Sequence, residues 1–457
     1  MVTGLHYSLT MNCRQRRWSW SALRCSVILC AISLIPQTSI GYSVLTHEQI
    51  VDLLWTDHIK KLLLQRFPDA AEDQLREAHA YAYGGSVIQD MGYYPFGNKE
   101  FSNLVHYVRS GDFVMALLRD ADDINEYAFA LGALSHYVSD NVGHPAVNHS
   151  VAVEYPKLRA KYGDQVTYGD DPKAHIKTEF GFDVVEVAKH RYPSDAYHDF
   201  IGFKVAKPLL ERAFQETYGI ALTDVFGDLD LAIGTYRRSV SEIIPEMTRV
   251  ALLSKRADIV RDTPNFSEKE FLYRLSRTEY EQAWGRDYRK PGVGARFLAF
   301  LFRLVPKVGP LKAIDFKVPT KETEASFIAS IDSTSDQFQT MLDAMRVSQI
   351  HLPNRDCDTG KATRPGEYAL TDIAYSKLLH RLSIRRFDLM TPELKDNITA
   401  YYADLNAPFA TRKSKDQWKM VLHDLDSLKA ATGMRADLPA AGQVNTLPSG
   451  PSRDPSR

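Results

Sequence analysis

The stretch 128–149, AFALGALSHYVSDNVGHPAVNH, sets His136, Asp140 and His144 beside a nearly unbroken apolar run. Residues four apart on a helix share a face, with Cβ atoms about 5–6 Å apart, so His136 and Asp140 can converge on one ion. Imidazole nitrogen and carboxylate oxygen are both ligands that suit zinc. A second pair of the same spacing, His175 and Glu179, lies in AHIKTEFGFD. A single such pair reads equally as a salt bridge or a satisfied core histidine, because helices are full of polar i, i+4 neighbours. The clustering favours metal: ten of the fourteen histidines fall between His47 and His198. Burying several imidazoles and carboxylates without a cation is costly, and one polynuclear site accounts for them together.

The elements that carry these residues read as helices. Residues 128–140 are apolar on most sides, the mark of a buried helix, and Ala130, Gly132 and Ala133 permit close packing. Gly143 and Pro145 then mark a loop, which puts His144 just beyond the helix end. Helical spacing also covers 47–67, 71–90 with a close-packing or kink point at Gly84-Gly85, 102–121 with a break at Ser110-Gly111, and 173–190. Further helical patterns lie at about 205–216, 229–256, 267–284, 320–348, 369–384, 391–404 and 414–431. Thr391-Pro392-Glu393 is a helix start, with Thr as cap and Pro at the first helical position. Alternating strand-like runs are nearly absent, so the expected fold class is all-α, a multi-helix domain followed by a further helical region.

At 457 residues the chain has room for one large or two ordinary domains. A net charge of −1 and a pI near 6.9 give no global signal for nucleic acid. RQRR at 14–17 precedes an apolar run at 25–35 and the small-residue site Ser39-Ile40-Gly41, so residues 1–41 read as a signal peptide and Tyr42 as the new N-terminus. The expected location is periplasmic or extracellular. Cys13, Cys25 and Cys30 lie in that leader, leaving Cys357 alone and no disulfide framework. The segment GARFLAFLFRLVPKVGPLK at 294–312 is apolar with interspersed cations; it reads as a core helix with flanking cations or as a membrane-surface contact. The Pro-, Ser- and Gly-rich tail at 438–457 reads as disordered. The expected division is thus a leader at 1–41, a site-bearing domain at 42–220, a helical C-terminal region at 221–437 and that tail.

In chain order the candidate ligands are the Tyr42 terminus, His47, Asp90, His106, His136, Asp140, His144, His175 and Glu179. This series resembles the zinc-dependent phospholipase C family and its relatives, the S1/P1-type nucleases, over roughly 41–205. The matching pieces are Tyr42-x4-His47, Asp90 in QDMGYYPFG, His106 sixteen residues on, His136-YVS-Asp140, His144-Pro145 and His175-IKT-Glu179. Three departures stand out. Tyr replaces the family's N-terminal Trp, the step from Asp140 to His144 is short enough for His149 to compete, and nothing after about 220 has a counterpart.

The resemblance implies three zinc ions in a cleft. One would be held by Asp90, His106, His136 and Asp140. Asp140 would bridge to a second, completed by His47 and the Tyr42 terminus. His144, His175 and Glu179 would hold the third. It implies hydrolysis of a phosphodiester, a phospholipid above all, with Asp90 orienting or deprotonating the attacking water. Tyr93, Tyr94 and Phe96 are candidates for a pocket wall or for packing, and Arg109 for a phosphate contact or a surface ion pair. Asp183, His190, His198 and Asp199 are candidate supporting residues. Two alternatives stand beside this reading: a single-strand nuclease of the same architecture, and a non-catalytic zinc-stabilised helical binding protein.

Overall fold

The structure, a computed structural model, describes residues 42–189, 192, 202–244, 247–248, 251, 316–347 and 350–431. Residues 1–41, the helical pattern at 267–284, the 294–312 segment and residues 438–457 lie outside them. The helices in chain order are α1 (Val44–Leu54), α2 (Lys60–Arg66), α3 (Glu72–Ser86), α4 (Lys99–Tyr107), α5 (Ser110–Asp120), α6 (Ile124–Glu154), α7 (Pro156–Tyr162) and α8 (Pro172–Ala188). They continue with α9 (Lys207–Tyr218), α10 (Leu222–Val225), α11 (Leu229–Arg238), α12 (Lys321–Met345), α13 (Ala369–Ile384), α14 (Pro392–Tyr401) and α15 (Lys415–Ala430). The fold is all-α. Among the described residues the β-structure is a two-residue antiparallel hairpin, β1 (Arg355–Asp356) with β2 (Lys361–Ala362).

Helix α6 is the axis of the molecule. It starts where the Asp123 carboxylate accepts from the Asn125 and Glu126 amides, satisfying two of the free N–H groups of a first turn. From Tyr127 to Asp140 every residue is buried, and α1, α3, α5, α8 and α12 pack around it. No helix of the described residues is long and apolar enough to cross a membrane.

The crossing of α3 and α6 is a backbone-to-backbone contact. A Cβ at Gly132 would stand 2.0 Å from the Ala82 carbonyl oxygen, and one at Gly85 2.0 Å from that of Phe129. The small residues of 130–133 and the Gly84-Gly85 pair serve close packing, as their type suggests. The helices therefore come near enough for the His136 ring, on α6, to reach the Ser86 carbonyl at the end of α3.

One expected boundary is wrong. Instead of ending near Asp140, α6 runs on to Glu154 with Pro145 inside it, so His144 sits on the helix and not in a loop. Pro145 gives up one rung of the hydrogen-bond ladder, the one that would close on Asn141. Packing outweighs that loss: Gly143, His144, Val147 and Asn148 are buried on either side of it. Gly143 is there for room, since a Cβ would meet the Tyr42 ring at 2.1 Å. The Tyr42 ring is fully buried, edges onto Phe327 of α12 and bonds through its hydroxyl to Ser330 Oγ at 2.6 Å.

Gly132→Ala should push against a backbone atom that cannot rotate away. Overpacking of this kind costs about 1–3 kcal/mol or more. The expected outcome is a lower denaturation midpoint, with Gly234→Ala, where a Cβ meets nothing within 4 Å, close to wild type in the same urea titration.

Candidate metal centre

Three helical turns of α6 present His136, Asp140 and His144 on one face. Four imidazoles surround the Asp140 carboxylate. His136 Nε2 and His106 Nε2 stand 3.1 and 3.3 Å from Oδ2, and His47 Nε2 and His144 Nε2 each 3.6 Å from Oδ1. Asp90 Oδ1 lies 3.5 Å from His106 Nε2. Two groups offer ligand atoms all within 4.8 Å of one another: His47, Asp90 and His136, and His106, His136 and Asp140. All these residues are buried.

Each donor is aimed by its own element. His47 lies in the first turn of α1, whose entry is held by Asp183: its carboxylate accepts from the Leu45 amide and the Thr46 hydroxyl. Asp90 sits on the 3-10 turn Ile88–Tyr93 that follows α3. His106 ends α4 and donates from Nδ1 to the Ser102 carbonyl at 2.7 Å, while His136 donates from Nδ1 to the Ser86 carbonyl at 2.8 Å. A ring nitrogen bonded to a carbonyl must carry the proton, so both rings turn an Nε2 lone pair inward. Those two nitrogens are 3.2 Å apart. Two lone pairs facing each other and a carboxylate call for a cation between them.

The remaining sequence candidates form a flank of the same cluster. His175 and Glu179 lie one turn apart on α8, whose start is capped by Asp171 accepting from the Lys173 and Ala174 amides. His175 Nδ1 is 2.6 Å from Glu179 Oε1. Its other nitrogen meets Asn148 Oδ1 at 2.8 Å. Asn148 donates its amide to the Asp358 carbonyl at 2.8 Å, so its oxygen is free to accept and His175 Nε2 is the donor. His175 Nδ1 therefore faces the Glu179 carboxylate with a lone pair. The His144 and His175 rings are 5.5 Å apart between centroids.

The electrostatics fit a site for a cation. His47 Nδ1 and Nε2, both oxygens of Asp90, Asp140 and Glu179, both nitrogens of His144 and Nδ1 of His175 are buried without a hydrogen bond. Burial and nearby carboxylates push Asp90 and Glu179 well above the usual carboxylate range. Burial and the neighbouring His136 push His47 well below the usual histidine range, and burial with His144 takes His175 down to about 3. For Asp140 burial is outweighed by His136 and His144, which hold it low. For His144 burial is outweighed by Asp140 and Asp358, which carry it up to about 9. A desolvated set of N and O donors of this kind fits zinc, which takes both.

Other expectations divide. His149 is turned away, its Nδ1 3.3 Å from the Asp164 carbonyl oxygen, which leaves His144 as the α6 residue beyond Asp140 that faces the cluster. Tyr93 edges onto His106 and Tyr168, the latter edging onto His175, so it borders the site. Tyr94 packs in the core against Tyr236, and Phe96 is exposed. Arg109 is buried and pairs with Asp112 at 2.7 Å while donating to the Thr217 carbonyl. It braces the α4–α5 corner and does not meet the cluster. Asp183 bonds to the α1 entry and not to a ligand side chain, whereas His190, His198 and Asp199 lie outside the described residues. Asp358 was not foreseen: its Oδ1 is 3.5 Å from His144 Nδ1. The local signal, an acidic turn DCDTG, looks like any surface turn in sequence.

Fold and site together define an all-helical protein with a buried cluster of metal-ligand side chains. Residues 46–228 match the family model for zinc dependent phospholipase C. No curated protein and no solved structure matches.

His136→Ala should strip metal from the centre, because its ring belongs to both close ligand groups. His144→Ala should cost part of the metal. His149→Ala and the distant His351→Ala should keep all of it. Metal analysis of the four purified variants decides, and a His149→Ala loss exceeding that of His144→Ala would move the ligand to His149.

Proposed function

We propose that the chain is an exported, phospholipase C-like zinc hydrolase of phosphodiesters, working with three zinc ions. The observation that carries the reading is the pair of inward Nε2 lone pairs of His106 and His136. They meet 3.2 Å apart beside Asp140, with their protons committed to backbone carbonyls. The family match over 46–228 supports a phospholipid as the substrate class.

In this reading Asp90, His106, His136 and Asp140 would hold one ion. Asp140, His47 and the Tyr42 terminus would hold a second, and His144, His175 and Glu179 the third. Zinc supplies Lewis acidity: it acidifies water toward pH 7 and neutralises charge on a phosphoryl group. The chain supplies the rest. Asp90, whose carboxylate oxygens have no hydrogen bond within the protein, would orient the attacking water and take its proton. Tyr93 borders the pocket, and the buried setting lowers the effective dielectric around the reacting charges.

The terminus has a geometric basis. His47 lies five positions beyond Tyr42, a chain that spans at most about 18 Å extended. The ring of Tyr42 is anchored between Gly143 and Ser330, 6.0 Å from the ring of His47. An amine freed there by removal of the leader stays close to the centre, whereas an amide nitrogen binds zinc poorly.

The test uses mature protein with phosphatidylcholine vesicles, other phospholipids and single-stranded DNA. Expected are zinc above one equivalent, phosphodiester cleavage of phospholipid, and loss of both on chelation. Cleavage of DNA alone would favour the nuclease reading, and zinc without turnover the binding-protein reading. Asp90→Asn should lower kcat by at least about 100-fold, the usual worth of a positioned general base. Mass spectrometry of the exported protein should find Tyr42 first, and an extension before it should lose part of the zinc. A fully active, fully loaded protein starting elsewhere would refute terminal coordination.

A further inference from the structure

The turn at 356–360 lies far beyond the family-matched segment, yet residues of that segment hold it. Tyr137 donates to the Pro353 carbonyl just before it at 2.6 Å, the Ser110 hydroxyl to that of Arg355 at 2.6 Å, and the Cys357 amide to that of His106 at 3.2 Å. Gly360, at φ +68°, brings the turn against α6 so closely that a Cβ would stand 2.2 Å from the Asn141 carbonyl oxygen. At the centre of this turn is Asp358, buried.

Its two oxygens are in different situations. Oδ2 accepts from the Tyr107 hydroxyl at 2.9 Å and from the Tyr368 hydroxyl. Those two donors fix the carboxylate and leave Oδ1 directed at His144 Nδ1, 3.5 Å away. An acceptor there draws the imidazole proton to Nδ1 and turns Nε2 toward Asp140. The backbone of the same residue acts on the second histidine. Its carbonyl takes the Asn148 amide, so Asn148 Oδ1 accepts from His175 Nε2 and His175 Nδ1 is left to face Glu179.

We propose that Asp358 is the positioning residue of the third metal site, setting His144 through its carboxylate and His175 through its carbonyl and Asn148. The inference rests on the zinc reading above. A carboxylate or carbonyl behind a ligating imidazole fixes its tautomer and orientation, and losing one typically costs 10–100-fold in metal affinity. Asp358 is not itself assigned as a ligand, because Oδ2 accepts from two hydroxyls and Oδ1 faces His144 Nδ1 at 3.5 Å. The C-terminal half of the chain thereby completes a site whose ligands all come from the first half.

Chelator competition on mature Asp358→Asn, with circular dichroism to verify the fold, tests this. The expected result is one zinc ion weakened by about 10–100-fold, the others unchanged, and an altered visible spectrum after cobalt substitution. In His175→Ala, which lacks that ion, adding Asp358→Asn should leave the remaining affinities as they were. Unchanged affinity for every ion, or equal weakening of all, overturns the inference. Should Asp358→Asn not fold, Tyr368→Phe removes one hydroxyl from Oδ2 and should weaken the same ion several-fold, and no change there overturns the inference as well. Wild-type protein that binds no zinc would instead overturn the metal reading itself.

Discussion

One carboxylate among four imidazoles governs the architecture. Asp140 is fully buried, with nitrogens of His47, His106, His136 and His144 at 3.1–3.6 Å and no hydrogen bond to any of them. A desolvated charge cluster of this size costs far more than an ordinary salt bridge recovers unless a cation completes it. The rest of the fold can be understood as the apparatus that holds these groups together. The glycine contacts of α3 and α6 bring the Ser86 carbonyl within reach of His136, and Asp183 holds the helix entry that carries His47.

The supports are of two kinds. Backbone carbonyls at Ser86 and Ser102 decide the tautomers of His136 and His106 through helix ends that the core already fixes. Side-chain supports do the same for the flank: Asn148 behind His175, and Asp358 behind His144. A backbone carbonyl cannot be lost by substitution, whereas Asn148 and Asp358 can. The ring orientations of the flank are therefore open to change by substitution of a supporting side chain.

The C-terminal helices add to the same core. α12 lies along α6 and α1, stacks Phe327 on Phe182 at 4.0 Å and holds the Tyr42 hydroxyl through Ser330. The hairpin turn after it lies against His144 and bonds to residues of α4, α5 and α6. Site and covering segment are thus joined by polar contacts at the metal centre as well as by apolar packing.

Much was legible in the sequence, because helical spacing and ligand chemistry are local. The i, i+4 pairs His136/Asp140 and His175/Glu179, the helix at 369–384 and the all-α class follow from periodicity and residue type alone. The match to the zinc dependent phospholipase C family model was anticipated by the order of ligand types. What stayed out of reach was decided between distant segments. Gly143 and Pro145 read as a loop, yet Gly143 makes room for Tyr42 and packing carries the helix through Pro145, so His144 joins the face of His136 and Asp140. Arg109 looked like a phosphate or surface residue, but a corner of the backbone buries it against Thr217. Asp358 stands 214 positions from the His144 it orients, a contact set by the docking of a turn whose own residues carry no periodicity. Local patterns record which groups a helix can present; only the packed chain decides which of them meet.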